Sequence, residues 1–351
     1  MTRLANEQRA QLEGLYAEMA PHSLTPLWEV LSALVTAEPR SPALAHRWDY
    51  ASARGYLLRA GDLISAEQAE RRVLILENPG LPGLSAVTPA LYAGLQLILP
   101  GEVSPCHRHA QSALRFVMEG EGAYTAVDGE RAIMRPFDLV LTPGGYWHDH
   151  SNPTEQPMIW LDGLDIPTVR HFDASFSEKY ETPTHAQTAP ADDSLSRYGR
   201  NLRPFKGSTA DRRPGRQPLF HYPYGEWRPS LDALAKDEAP DPHLGHALEF
   251  LNPADGGSIM ATISAHVRQL PAGFETRPRR STEGAVFVVV EGDGEAMLGD
   301  ETIALGARDV LVVPSWTPLR LRARSTLTLF AYSDRAAQEK LGLYREDVAC
   351  V

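Results

Sequence analysis

His107 and His109 stand two residues apart in PCHRHAQSALRFVMEGEGAY, and His148 and His150 stand two apart in GGYWHDHSN. Along a β-strand, residues i and i+2 point to one face, so each pair aims both rings the same way. Two imidazoles on one face can bind one metal ion. Arg115 follows six residues after His109, inside the apolar run ALRFVMEG. A charge in such a strand is costly unless it is paired. It needs an internal acid or an anionic ligand, and an anionic ligand is the expectation. Gln96 is a polar residue in the apolar run LYAGLQLILP, where it could hydrogen-bond the protein or a substrate. Cys106 alternates to the face opposite the histidines, which predicts a small buried residue.

Composition narrows the partners. The net charge is −11 over 351 residues, with acids and bases interspersed. That argues against a nucleic-acid groove or an anionic membrane as the main partner. A small anion is not excluded, because a few arginines in a pocket can hold one against the overall sign. The two cysteines, Cys106 and Cys350, are too few and too far apart for a disulfide framework or a zinc cluster. No run approaches the ~18 apolar residues of a membrane span. The polar, amphipathic start MTRLANEQRAQLEGLYAEM has no apolar signal segment. A cytoplasmic protein is expected.

The elements that must hold these residues follow from periodicity. Residues 6–20 and 24–36 carry helical apolar spacing, with Leu12, Leu15, Tyr16 and Met19 on one face. Ser23 and Thr25 are candidate caps, with Pro26 in the first turn. From residue 71 the texture is short strand-like runs between Gly, Pro, Asn and Asp turns, which suggests an all-β sandwich or barrel. Residues 164–240 are rich in Pro, Ser, Thr and Asp and read as a linker over the surface, with short helical pieces such as SLDALAK. Strand texture returns at about 257. The two β stretches share an E-G-x-G turn and an Asp-x-x-x-x-Pro strand, Asp138 to Pro143 and Asp309 to Pro314. They read as two copies of one barrel, with the histidines in the first copy only.

Gly101-x5-His107-x-His109 and Pro143-x-Gly145-x2-His148-x3-Asn152 resemble the two cupin motifs. Two departures stand out. The position that usually opens the second motif with Gly is Phe137, and the position of the usual Glu ligand is Ala113. The runs LYAGLQLILPGE, HRHAQSALRFVMEGEGAYTAVDGE and WHDHSN are similar to the gentisate 1,2-dioxygenase family, which includes salicylate and 1-hydroxy-2-naphthoate dioxygenases. The likeness is dense over residues 71–163 and looser elsewhere. It implies an all-β bicupin with an N-terminal helical segment: residues 1–70 helical, 71–165 the metal-binding cupin, 166–240 a linker, 241–340 a degenerate cupin and 341–351 a tail.

The same resemblance implies one Fe(II) per chain, held by His107, His109 and His148, and O2 as co-substrate. Gentisate would be opened between C1 and C2 to maleylpyruvate. Arg115 would take the substrate carboxylate, helped by Arg71 rather than Arg72. Tyr92, Gln96, His150 and Asp162 would line the pocket, with His150 placed to hydrogen-bond the substrate or move a proton. A homotetramer is implied too. In the second copy the ligand positions are Arg279, Ser281 and Leu319, so no iron is expected there. Packing and oligomer contacts are its expected job, and Arg277, Arg279 and Arg280 could hold an anion. Other readings are salicylate or 1-hydroxy-2-naphthoate as substrate, a metal-dependent sugar isomerase, and a non-catalytic cupin binding module.

Overall fold

Residues 3–200 and 217–348 are described by a computed structural model. The chain divides into two units, Met1–Arg40 and Ser41–Val351. The first holds helices Arg3–Met19 and Leu27–Leu34. Trp28 Nε1 donates to Tyr16 Oη at 2.7 Å, and Tyr16 donates to Glu29 at 2.7 Å. Pro26 itself occupies the N-cap of the second helix, and no side chain caps it, so the expected capping by Ser23 or Thr25 is not found. No described helix is long and apolar enough to cross a membrane.

In the second unit the strands up to the end of the first barrel are β1 (His46–Trp48), β2 (Arg72–Ile75), β3 (Tyr92–Ile98), β4 (Val103–His109), β5 (Ala113–Glu119), β6 (Tyr124–Val127), β7 (Glu130–Ile133), β8 (Leu139–Thr142), β9 (His148–Ser151) and β10 (Met158–Leu164). Then come β11 (Ser177–Lys179), β12 (His221–Tyr222), β13 (His246–Glu249), β14 (Ser264–Leu270), β15 (Arg280–Ser281), β16 (Ala285–Glu291), β17 (Gly294–Leu298), β18 (Glu301–Leu305), β19 (Val310–Val313), β20 (Leu319–Ala323), β21 (Leu327–Ser333) and β22 (Glu346–Asp347). Sheet β12-β8-β5-β10-β3-β2 faces sheet β11-β4-β9-β6-β7 in the first barrel. Sheet β1-β19-β16-β21-β14-β13 repeats the larger one, with β18-β17-β20 and β15-β22 as smaller sheets of the second. This is the all-β bicupin expected.

The central strands are apolar on both faces because both are covered. One face lines a barrel and the other packs on the sister barrel. Phe116 of β5 stacks on Phe330 of β21 with centroids 4.0 Å apart and planes 6° from parallel. Tyr332 donates to the Tyr92 carbonyl at 2.8 Å, and a methyl at Gly163 would lie 2.7 Å from the Tyr332 ring. The shared E-G-x-G turn has a steric reason. Gly120 has φ +86, and a side chain there would meet Pro157 O at 2.8 Å; Gly292 has φ +79 and would meet Thr326 O at 2.1 Å.

The repeated aspartates anchor outside segments to each barrel. Asp138 accepts from Tyr224 N at 2.7 Å, and Asp309 accepts from Tyr50 N at 3.0 Å. Phe137, where Gly is usual, does adopt a left-handed φ of 67°. Its ring lies 5.5 Å from Tyr224 and 6.1 Å from Phe116, so packing offsets the strain.

Three expected boundaries move. Residues 41–70 belong with the barrels, since β1 pairs with β19 and Leu57 of helix Tyr50–Leu63 is fully buried. The stretch 166–240 is more than a surface linker: β11 pairs with β4, β12 pairs with β8, and helix Tyr224–Asp237 buries Trp227 and Leu231 in the core. The tail is tied down as well, because β22 pairs with β15.

Candidate metal and substrate site

His107 and His109 come from β4 and His148 from β9, whose registers place His148 directly across from His107. Ring centroids are 4.0 Å apart for His107–His148, 4.8 Å for His109–His148 and 5.3 Å for His107–His109. One nitrogen from each can lie within 4.8 Å of the others, which suits a single ion. Each Nδ1 is 2.8–2.9 Å from a backbone carbonyl: Pro105 for His107, Gln111 for His109 and Tyr146 for His148. A carbonyl only accepts, so Nδ1 carries the proton and Nε2 keeps its lone pair. Nε2 of His107 and of His148 is buried and has no hydrogen-bond partner among the described residues. Burial, helped by the nearby arginine charges, lowers His107 to about 3 and His109 to about 4, and holds His148 well below its ordinary range. Three neutral imidazoles with free, inward lone pairs fit a divalent ion. Ala113 opens β5 as a buried residue and offers no fourth ligand.

Arg115 is buried on β5. Its NH1 donates to Thr142 Oγ1 at 2.5 Å, and its Nε is 3.5 Å from Asp162 Oδ1 without a hydrogen bond. Of the two possibilities the sequence allowed, an internal acid does stand near, and the Nε edge of the fork is unbonded. Asp162 is directly across from Arg115 on β10 and accepts from Trp160 Nε1 at 2.9 Å. Burial raises Asp162 to about 6 against the pull of Arg115, the Trp160 hydrogen bond and Arg71.

The other expected residues gather nearby. Tyr92 and Gly94 lie on β3, and a methyl at Gly94 would meet the Tyr92 hydroxyl at 2.6 Å, so the missing side chain lets that phenol lie alongside Asp162's partner position. Arg71 is close enough for its charge to act on Asp162, Tyr92 and His107. It keeps exposed surface and lines a small recess with Gln96 and Ser104. Arg72 instead pairs with Glu102 and donates to Ile64 O. His150 is fully enclosed, 5.9 Å from His148 and 5.5 Å from Trp160. Its Nδ1 is 2.9 Å from Thr125 Oγ1.

Thr125, Thr142 and Trp160 were not singled out by sequence. The available signal was that Thr125 is a hydroxyl in a buried strand, as Arg115 and Gln96 are polar in theirs. Beneath the ligands, Cys106 is buried and faces away from them as expected, with Sγ 3.5 Å from His185 Nδ1. Cys106, Asp149 and His185 cluster closely enough to suggest a second ion. However, His185 Nε2 accepts from Gly129 N at 2.7 Å and Nδ1 pairs with Asp149 at 2.5 Å. Neither ring nitrogen is free, and burial pushes the thiol up to about 12, so this is a hydrogen-bonded support under β4 and β9.

In the second barrel, Arg279 bridges to Leu319 as His107 pairs with His148. The alignment of ligand positions read from sequence therefore holds, and no imidazole occupies them.

Residues 94–164 and 266–332 each match the Cupin domain family. The chain is 50% identical to gentisate 1,2 dioxygenase 1 of Aquipseudomonas alcaligenes, over 94% of both chains. It is 36% identical to a 1-hydroxy-2-naphthoate 1,2-dioxygenase of Nocardioides sp., over 97% of this chain and 88% of that one. Among solved structures, salicylate 1,2-dioxygenase from Pseudoaminobacter salicylatoxidans, in adducts with gentisate, superposes with a TM-score of 0.90 at 34% identity, covering 97% of this chain and 94% of that one.

Proposed function

The chain belongs to the gentisate 1,2-dioxygenase family of ring-cleaving dioxygenases, and from that premise we propose that it opens gentisate between C1 and C2 with O2, giving maleylpyruvate, on one Fe(II) in the first barrel. The observation that carries the reading is the set of three neutral histidines with fixed Nδ1 protons and inward Nε2 atoms, with no carboxylate ligand and an arginine edge left unbonded beside them. Bound Fe(II) would supply coordination positions for a chelating hydroxy acid and O2 and a route for electrons between them.

The rest is the work of the chain. Thr142 fixes the Arg115 guanidinium by one terminal nitrogen, so its opposite edge is presented for a carboxylate in a two-point pair. Arg71 adds positive charge at the recess, which draws an anion inward. Asp162 and Tyr92 limit the pocket on the β3 and β10 side. Thr125 orients His150, whose Nε2 then faces the site as a group able to accept or return a substrate hydroxyl proton. The closed far end of the barrel, with Val117, Val140, Met158 and Trp160, keeps bulk water from the ring.

The reading assigns chemistry to the first barrel and packing to the second. It also includes self-association, supported by the exposed Leu27, Trp28, Leu31 and Leu34 of the helical unit, with a tetramer as the expected state. The cytoplasm remains the expected compartment. Salicylate and 1-hydroxy-2-naphthoate are the competing substrates.

O2 uptake by Fe(II)-loaded protein, run in parallel on gentisate, salicylate and 1-hydroxy-2-naphthoate, tests it. Uptake with gentisate and a ring-opened product is expected. Uptake only with one of the other acids would reassign the substrate, and no uptake from iron-loaded protein would end the dioxygenase reading of this chain.

A further inference from the structure

The two barrels share one register, which allows their interiors to be compared position by position. Leu164 pairs with Ala113 and Tyr92, and Ser333 pairs with Ala285 and Ser264. Counting along the strands puts Phe287 at the place of Arg115 and Arg268 at the place of Gln96. The second barrel has therefore kept an interior arginine, but on β14 rather than on the strand that carries it in the first.

We propose that the interior of the second barrel binds a small monovalent anion of halide size, held by Arg268 and His266.

Arg268 is only 5% exposed. Its Nε donates to His266 Nε2 at 2.9 Å, so His266 is a neutral acceptor with its proton on Nδ1. The terminal nitrogens of Arg268 make no hydrogen bond or ion pair with any described residue, and neither does His266 Nδ1. The guanidinium is backed instead by the Phe287 ring, 5.3 Å from its centroid. Burial pulls Arg268 down to about 10, which leaves it charged at neutral pH.

The other charged groups of the cavity are taken. Arg279 meets Glu283 at 3.2 Å, Glu346 at 2.6 Å and the Tyr344 hydroxyl at 2.9 Å. Glu283 also accepts from Ser281 at 3.1 Å and from Ser333 at 2.6 Å. The interior thus holds two guanidinium groups and one carboxylate, with Glu346 out at the half-exposed rim. Arg268 lines this cavity with its charge largely enclosed and its Nε alone bonded, and an anion at its terminal nitrogens would offset the cost of that burial. Size selects the anion. The centre of a water-sized species has about 20 Å³ to occupy among these side chains, which accommodates one water-sized or halide-sized ion. The anion site anticipated on Arg277, Arg279 and Arg280 thus shifts: Arg279 is spent as above, Arg280 pairs with Asp347 at 2.9 Å, and Arg268 carries the open donors.

Crystals of the iron-loaded protein equilibrated in bromide test this directly. An anomalous peak within hydrogen-bond reach of the Arg268 terminal nitrogens is expected in the wild type. It should persist in the control Arg320→Gln and vanish in Arg268→Gln. No peak there in the wild type, or one that survives Arg268→Gln, overturns the proposal. In solution, replacing gluconate by chloride at constant ionic strength should raise the thermal midpoint with saturation in the wild type and not in Arg268→Gln. Equal shifts in both would mean adventitious binding and also overturn it. Should Arg268→Gln fail to fold, the wild-type bromide map and Arg268→Lys, which keeps the charge and should keep a peak, decide the matter.

Discussion

Arg115 Nε stands 3.5 Å from Asp162 Oδ1 and makes no hydrogen bond to it, although the two residues are directly paired across β5 and β10. A guanidinium held by a hydroxyl on one side and only loosely by an acid on the other is poised for a second carboxylate. Arg115→Ala is expected to keep its iron and lose about a hundredfold or more in kcat/KM for gentisate. Asp162→Asn should retain far more of it. Steady-state kinetics beside metal analysis checks both, and wild-type turnover in Arg115→Ala would remove the carboxylate role.

His148 lies across from His107 and within reach of both other rings. His148→Ala should fall from about one bound iron per chain to near none, with turnover lost in parallel. Metal content by atomic emission and O2 uptake on the same sample read the two together. Iron retained at full stoichiometry would move the site elsewhere.

Thr125 is the sole described hydrogen-bond partner of His150 Nδ1, at 2.9 Å. Thr125→Val should leave iron bound and KM little changed while kcat drops about tenfold, since only the orientation of the ring is lost. Thr125→Ser restores the hydroxyl and should restore kcat. A Val variant with unchanged kcat would free His150 from this support.

His221 is buried between Asp138 at 3.0 Å and Asp192 at 2.8 Å. Burial works against its charge, but the two hydrogen-bonded carboxylates outweigh it and raise the folded pKa to about 9. Folded protein therefore holds the proton more tightly than unfolded. The stabilisation is complete below about 6.5, the unfolded value, and is lost as pH rises through about 9. Thermal midpoints across that window should decline in the wild type and much less in His221→Asn.

Phe116 and Phe330 join the barrels by a parallel stack, both fully buried. Phe116→Ala should cost about 3–5 kcal/mol in denaturant unfolding. A loss under about 1 kcal/mol would show that the sister barrels do not depend on this contact.

Much of the site was legible because its signals are local. His-x-His on a strand puts two rings on one face whatever surrounds it, and Pro-x-Gly-x2-His set the third ring on a recognisable turn. The duplicated E-G-x-G turns announced two barrels, since only glycine tolerates φ near +86° against a neighbouring carbonyl. Less was legible between the barrels. The composition of 166–240 resembles a linker, yet Trp227 and Leu231 lie in the core, because a short amphipathic helix can be recruited by a surface that sequence does not display.

What the chain determined by itself was the set of strands, the faces their residues share and the chemical kind of site they could build. Which groups meet was decided by tertiary structure. Arg115 faces Asp162, Thr125 holds His150, and Arg268 is left with open donors, because each depends on register between strands far apart in sequence. Register is fixed by non-local packing: shifting one strand by a residue would turn every side chain to the other face, and only the closed barrel excludes that shift.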